Sequence, residues 1–262
     1  MLEAPAVETC PRCGSFASLV DTGLKRVCAA CVEPSLHPLQ RAGGDPVKLL
    51  VGVWRVMVEF GWWNLVILLA LVAPWFATSG RFSWLGSAFL ALLVVVLSLV
   101  ETVAFLAWRA RVLEAKPVPW RLVGPRLPRV LATNGLLALV TLVCLPLGLL
   151  WGPLASAVAV AALEGRWPLD AARTAWRRSE GRRVALVVVG AISFLPTLAL
   201  PLIPLVVAAV ATLRTGRPVQ EWTAPLLPAL AFAYSLGALP SFVMQAAAWL
   251  ATVPVPRPSE LP

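Results

Sequence analysis

The chain has 262 residues, 59% of them hydrophobic and only 13% charged, with a formal net charge of +9. A soluble domain of this size carries about 25% charged residues, so a water-soluble globule is excluded. Several uncharged runs between Val56 and Leu250 are long enough to cross a hydrocarbon core of about 30 Å. They show no polar–apolar alternation, which argues against a β-barrel. The expected class is an all-α polytopic membrane bundle of six crossings, preceded by a small N-terminal β zinc ribbon.

The first predicted element, residues 1–40, holds Cys10-Pro-Arg-Cys13 and Cys28-Ala-Ala-Cys31, separated by 14 residues. Each pair presents two thiolates from one tight turn, and the two turns together make a tetrahedral four-sulfur site. Gly14 supplies the conformational freedom such a turn needs. The intervening residues read as two short strands about the turn Asp21-Thr22-Gly23. This is a zinc-ribbon pattern, with Cys10, Cys13, Cys28 and Cys31 as ligands of one structural Zn2+. Two disulfides could use the same cysteines, but the topology below places the head in a reducing cytoplasm. His37, six residues beyond Cys31, stands outside the paired spacing and is read as no ligand. Residues 1–45 are polar, and no cleavable signal peptide is expected.

A basic linker or interfacial segment, 41–55, leads to six predicted crossings at 56–77, 84–107, 130–148, 149–163, 184–213 and 224–250. Residues 130–163 carry no charge and would span about 51 Å as one helix, so a hairpin near Pro146 to Pro153 is expected. Pro196, Pro201 and Pro204 should kink or break the fifth run. Cys144 reads as a small buried hydrophobe. Residues 251–262 form a proline-rich tail. Nineteen of the 22 Lys and Arg residues fall before the first span, in alternate connections or in this tail. That asymmetry puts both termini in the cytoplasm and the chain in the cytoplasmic membrane. Anionic headgroups are the expected partner of the basic face. Nucleic acid is disfavoured, because the charges lie in short juxtamembrane loops. The dipeptides Pro46-Val47, Pro117-Val118, Pro168-Leu169 and Pro218-Val219 suggest a recurring unit of interfacial segment plus membrane helix.

Glu101 and Asn134 are the notable polar residues within apolar runs. A buried carboxylate is costly unless paired or protonated. Glu101 is read first as a packing hydrogen bond or an ion pair with Arg55 or Arg109, and second as part of an ion or proton path. The twelve tryptophans lie near proposed span ends and read as interface anchors. Residues 166–183 predict a helix along the cytoplasmic surface. Leu169, Ala172, Ala175 and Trp176 share its lipid face, Arg173 and Arg177 reach lipid phosphates, and Gly181 turns the chain into the next span.

The stretch from Leu145 to Gly190, with Glu164-Gly165 and "DAARTAWRRSEGRR", resembles a recurring segment of the membrane domain associated with glycerophosphoryl diester phosphodiesterases and related six-helix bacterial membrane proteins. "DPVKLLVGVWRVMVEFGWWNLVILLALVAP" is similar to that family's opening. The resemblance covers roughly 45–250 and implies six membrane helices with a cytoplasmic N-terminus. It implies no activity, because that family's chemistry lies in a separate barrel with histidine and paired acids, and this sequence has one histidine. The loop "AKPVPWRLVGPRLPRV" reads as less helical than the family suggests. No Gly-x-Ser-x-Gly or phosphate-loop motif occurs. A non-enzymatic integral membrane protein is therefore expected, its ribbon contacting a cytoplasmic protein; a transporter or lipid-handling permease is the alternative.

Overall fold

The computed structural model describes residues 7–21, 26–78, 84–114, 116–143, 151–216 and 219–254. The expected turn at 22–23, Cys144 and most of the proline-rich tail lie outside them. The described chain is mostly helical, with three short strands at its start.

The strands β1 (Val7–Thr9), β2 (Phe16–Asp21) and β3 (Arg26–Cys28) form an antiparallel sheet in the order β1-β2-β3. The sequence reading anticipated β2 and β3 and missed β1, which pairs Val7 with Ser18 and Thr9 with Phe16. Two single-turn helices follow, α1 (Val32–Ser35) and α2 (Pro38–Arg41).

The segment expected as a linker or interfacial stretch is helical from Pro46. Helix α3 (Pro46–Phe60) starts with Pro46 at its first position, and the Asp45 carboxylate caps the Val47 and Lys48 N–H groups. This is the chemistry a helix N-terminus needs. Leu49, Gly52, Val53, Val56 and Phe60 are buried along one face, while Val47, Val51, Trp54 and Val58 are exposed. Gly61, at φ +55°, ends α3, and α4 (Trp63–Thr78) leaves it at a bend of 93°. The first apolar run therefore begins after this corner rather than at Val56.

Helix α5 (Trp84–Trp108) continues as a wider π turn over Arg109–Leu113. Helix α6 (Val123–Val143) starts seven residues before the expected span, with Pro128 inside it. The proline-rich basic loop is thus helical from Val123 onward, because Gly-Pro at 124–125 falls in the first turn, where no intrahelical N–H bond is lost.

The largest departure lies at 149–163. The short helix α7 (Trp151–Leu154) and α8 (Ser156–Glu164) occupy this stretch. The apolar helical stretch Gly152–Glu164 has 13 residues, about 20 Å, too short to cross a bilayer core. Every residue from Ser156 to Leu163 is buried. A helix of alanine, valine and serine, apolar all round, belongs inside a bundle rather than against lipid. Helix α8 is the bundle's axis, packed by α5, α6, α9 (Pro168–Arg178) and α12 (Val219–Thr252).

Helices α10 (Arg183–Ala199) and α11 (Leu202–Thr215) are separated by a break at Leu200 and Pro201. Proline supplies no N–H there, so the anticipated interruption has a simple cause. The pair runs antiparallel to α12: Ser241 donates to the Ser193 carbonyl at 3.1 Å and Thr197 to the Gly237 carbonyl at 3.0 Å. Two helical stretches among the described residues, Arg183–Thr215 and Pro228–Thr252, are long and apolar enough to cross a membrane. Six crossings were expected. The difference comes from the 93° corner after α3, the short buried α8, and residues that lie outside the description. Val184, Leu195, Leu198, Ile203 and Val206 leave α10 and α11 with an oily outer surface, as lipid contact requires.

Candidate functional site

The four cysteines of the head converge. Cys10 and Cys13 flank the turn after β1, closed by Gly14 N–H donating to the Cys10 carbonyl at 2.9 Å, with Gly14 at φ +74°. Cys28 ends β3, and Cys31 closes the single turn after it. All four Sγ atoms lie within 4.8 Å of one another. A tetrahedron with Zn–S bonds of about 2.3 Å needs sulfurs about 3.8 Å apart, so the cluster fits such an ion. The thiols are free, and Cys13 and Cys28 sulfurs are 3.5 Å apart, far beyond a disulfide bond. Cys28 N–H points at Cys10 Sγ at 3.4 Å. With the Cys13 backbone, this N–H lowers the Cys10 pKa to about 6, whereas Cys28 sulfur and burial push Cys31 up to about 12. Four protein sulfurs fill a tetrahedral ion and leave no open position for a substrate.

His37 has a different task from metal binding. Leu39 N–H donates to its Nδ1 at 3.2 Å, so the proton sits on Nε2, which donates to Glu59 Oε1 at 3.1 Å. Glu59 also accepts from Trp108 Nε1 at 3.2 Å and lies 3.4 Å from Arg55 Nε. Leu39 sits over Gly52 so closely that a methyl there would overlap its side chain. These contacts fasten the head to α3 and α5.

A second polar centre lies where α8 ends. Gly165, at φ +71°, stops the helix, and its last carbonyls are met by arginines from neighbouring elements. Arg126 donates to Ala162 and Leu163 oxygens at 2.5 and 2.7 Å, Arg109 to Leu163 at 3.2 Å, and Arg129 to Gly165 at 2.5 Å. A helix ending inside a protein must satisfy these carbonyls, and cations suit its negative end. Glu164 is gripped by both Nη atoms of Arg178, by Arg166 and by Trp249 Nε1 at 2.9 Å. Burial opposes its ionisation, but the Arg178 and Trp249 hydrogen bonds outweigh it and lower its pKa. Arg182 donates to the Ala251 carbonyl near the end of α12. The ends of α5, α8 and α12 and the starts of α6 and α10 thus meet at one basic end of the bundle.

Glu101 and Asn134 are brought together. Asn134 Nδ2 contacts Glu101 Oε2 and Ser98 Oγ. Glu101 is buried and touches neither arginine named for it: Arg55 pairs with Glu59, and Arg109 pairs with Glu114 at 2.5 Å. The anchor reading of the tryptophans needs a similar correction. Trp54, Trp62, Trp120 and Trp167 are exposed, but Trp108 and Trp249 are each only 1% exposed. They form a core with Phe60, which stacks on Trp108 at 5.5 Å, and their indole N–H groups hold Glu59 and Glu164. On α9, Ala171, Ala175 and Ser179 face the protein, and Leu169, 62% exposed, lies on the opposite side with Arg173 and Arg177. Ala175 does not share the outer face with Leu169, and the inner face takes Arg178 as well, through its pair with Glu164. Gly181, at φ +78°, makes the turn before α10.

Comparison with family models, with curated proteins and with solved structures finds no match.

Proposed function

We propose that this chain is a multi-pass protein of the cytoplasmic membrane whose head holds one structural Zn2+ and docks a cytoplasmic protein, without catalysis of its own. The carrying observation is the closed cluster of Cys10, Cys13, Cys28 and Cys31 sulfurs. Bound there, the ion cross-links the two turns of a head too small to fold on its apolar core alone. The chain's residues do the rest. Val27 and Val32 pack beside the sulfurs, His37 ties the head to Glu59, and Phe16 stands 79% exposed on β2 as a contact point. The gathering of Arg109, Arg126, Arg129, Arg178 and Arg182 at one end of the bundle supports a cytoplasmic orientation for that end. So does the likeness to the phosphodiesterase-associated membrane domain, within which additional crossings by α4, α5 and α6 belong to the same proposal. Arg173 and Arg177, on the outer face of α9, suit anionic headgroups at this surface.

Metal analysis of the purified chain should find about one zinc per molecule, lost when Cys10 and Cys28 are replaced by serine. Cross-linking in native membranes should capture a soluble protein whose yield falls with Phe16→Ser. A metal-free chain with a protease-resistant head would sink the zinc reading, and a capture unaffected by Phe16→Ser and by loss of the head would sink the docking role. A second reading, a permease, draws on the buried Glu101–Asn134–Ser98 contacts between α5 and α6. Flux in proteoliposomes that Glu101→Gln abolishes would favour it.

A further inference from the structure

A cavity of about 220 Å³ opens between the end of α5, residues 116–119 and the start of α6. Three cations line it, Arg109, Lys116 and Arg126, against one carboxylate, Glu114. That carboxylate is already engaged, by Arg109 at 2.5 Å and Lys116 at 3.7 Å. Arg126 has no carboxylate partner among the described residues; its Nη1 holds the carbonyls of Ala162 and Leu163. Arg129 stands behind it, with Nε buried and without a partner in the described residues. Arg109 and Arg129 repel Arg126, and Glu164, already held by Arg178 and Arg166, offsets only part of that repulsion. The carbonyl end of α8 contributes only about half a negative charge, so the cluster keeps an excess of positive charge. Leu106, Leu122 and Leu163 complete the wall. The space is many times the roughly 10–15 Å³ that one water needs.

We infer that this cavity binds a phosphate group, gripped by Arg126 and Arg109 with Lys116 at its mouth. Guanidinium forks match phosphate oxygens in pairs, and an anion here relieves the mutual repulsion of the arginines. A phospholipid headgroup and a free phosphate offer the same chemistry. The site is independent of the head and of its docking role, so either reading can fail without the other.

The test uses the full chain in a maltoside detergent, which carries no phosphate. One arm titrates inorganic phosphate; the other adds phosphatidylglycerol, with phosphatidylcholine as the comparison. Binding is followed by native mass spectrometry and by the unfolding midpoint. One ligand per chain is expected in at least one arm. Saturation by inorganic phosphate identifies a soluble ligand, and retention of phosphatidylglycerol alone identifies a lipid. Lys116→Gln should weaken binding about fivefold and Arg126→Gln at least about tenfold, while Arg26→Gln on β3 of the head, where Arg26 pairs with Glu8, changes nothing. Lys116 is largely exposed, so its variant keeps the fold even where Arg126→Gln does not. Absence of binding in both arms, or binding that Lys116→Gln leaves unchanged, overturns the site.

Discussion

At the scale of single residues, the charges at the basic end do more than set topology. Glu164 is the clearest case, held by Arg178, Arg166 and Trp249 while mostly buried. Its folded pKa is lowered. Its contribution is therefore fully present above the ordinary glutamate pKa of about 4.3 and is lost as pH falls through the folded value. Glu164→Gln should lower stability by about 3 kcal/mol, since Arg178 is then left partly buried without its counter-charge. The loss should shrink in acid, where the wild-type carboxylate is protonated as well. Thermal unfolding in detergent at pH 7 and at pH 2, below the lowered folded pKa, reads both effects; an equal deficit at the two pH values would refute the ion-pair account. Sequence alone pointed to Glu164-Gly165 as a recurring pattern but not to its partners. Arg178 is 14 residues away and Trp249 is 85, and nothing in local spacing encodes such meetings. The cluster of four cysteines was legible for the opposite reason: paired turns put both thiols of each pair together locally.

At the scale of elements, helix character was readable from hydropathy, but helix placement was not. Hydropathy reports that α8 avoids water; it does not distinguish a lipid-facing helix from one wrapped by other helices. What marks α8 is its small side chains, which let neighbours close in on every side. The same logic governs the helix contacts. A methyl at Gly152 would overlap the Leu186 carbonyl, and one at Gly237 the Pro196 carbonyl. Without lipid exclusion to drive association, membrane helices rely on such close approach. Gly237→Ala and Gly152→Ala should each force backbone apart and destabilise the chain by about 1–3 kcal/mol. Gly135→Ala, with open space at the new methyl, should be neutral or stabilising by up to about 1 kcal/mol. Detergent unfolding midpoints compare the three, and similar values for all would mean that the glycine contacts carry no weight. The faces of α9 can be checked by thiol labelling. Cysteines at 173 and 177 should react with a water-soluble reagent and those at 171 and 175 should not, because the protein rather than lipid covers the inner face. Reaction at 171 would detach α9 from the bundle.

At the scale of the whole molecule, the question is whether head and bundle fold as one unit. The cysteine cluster and the fastening to the bundle rest on different chemistry. An ion held by the four sulfurs, as proposed, should bind more tightly as pH rises, because thiols must lose protons on binding. The fastening needs no ion: it consists of the His37–Glu59–Trp108 hydrogen bonds and Leu39 packed over Gly52. Residues 37–60 are moreover tied to a core that Phe60, Phe105, Trp108 and Phe242 build deep in the bundle. Stability need not be uniform along such a chain, and units open separately when few contacts join them. A strong zinc chelator should therefore release amide protection in β2 and β3 while protection in α2, α3 and α5 persists. His37→Ala should do the reverse, loosening α2 with the sheet still closed on its metal. Hydrogen exchange of the purified chain, with and without chelator, measures both. If chelation instead strips protection from α3 and α5 together with the sheet, the head is an integral part of one cooperative fold, and its sulfurs stabilise the membrane bundle itself.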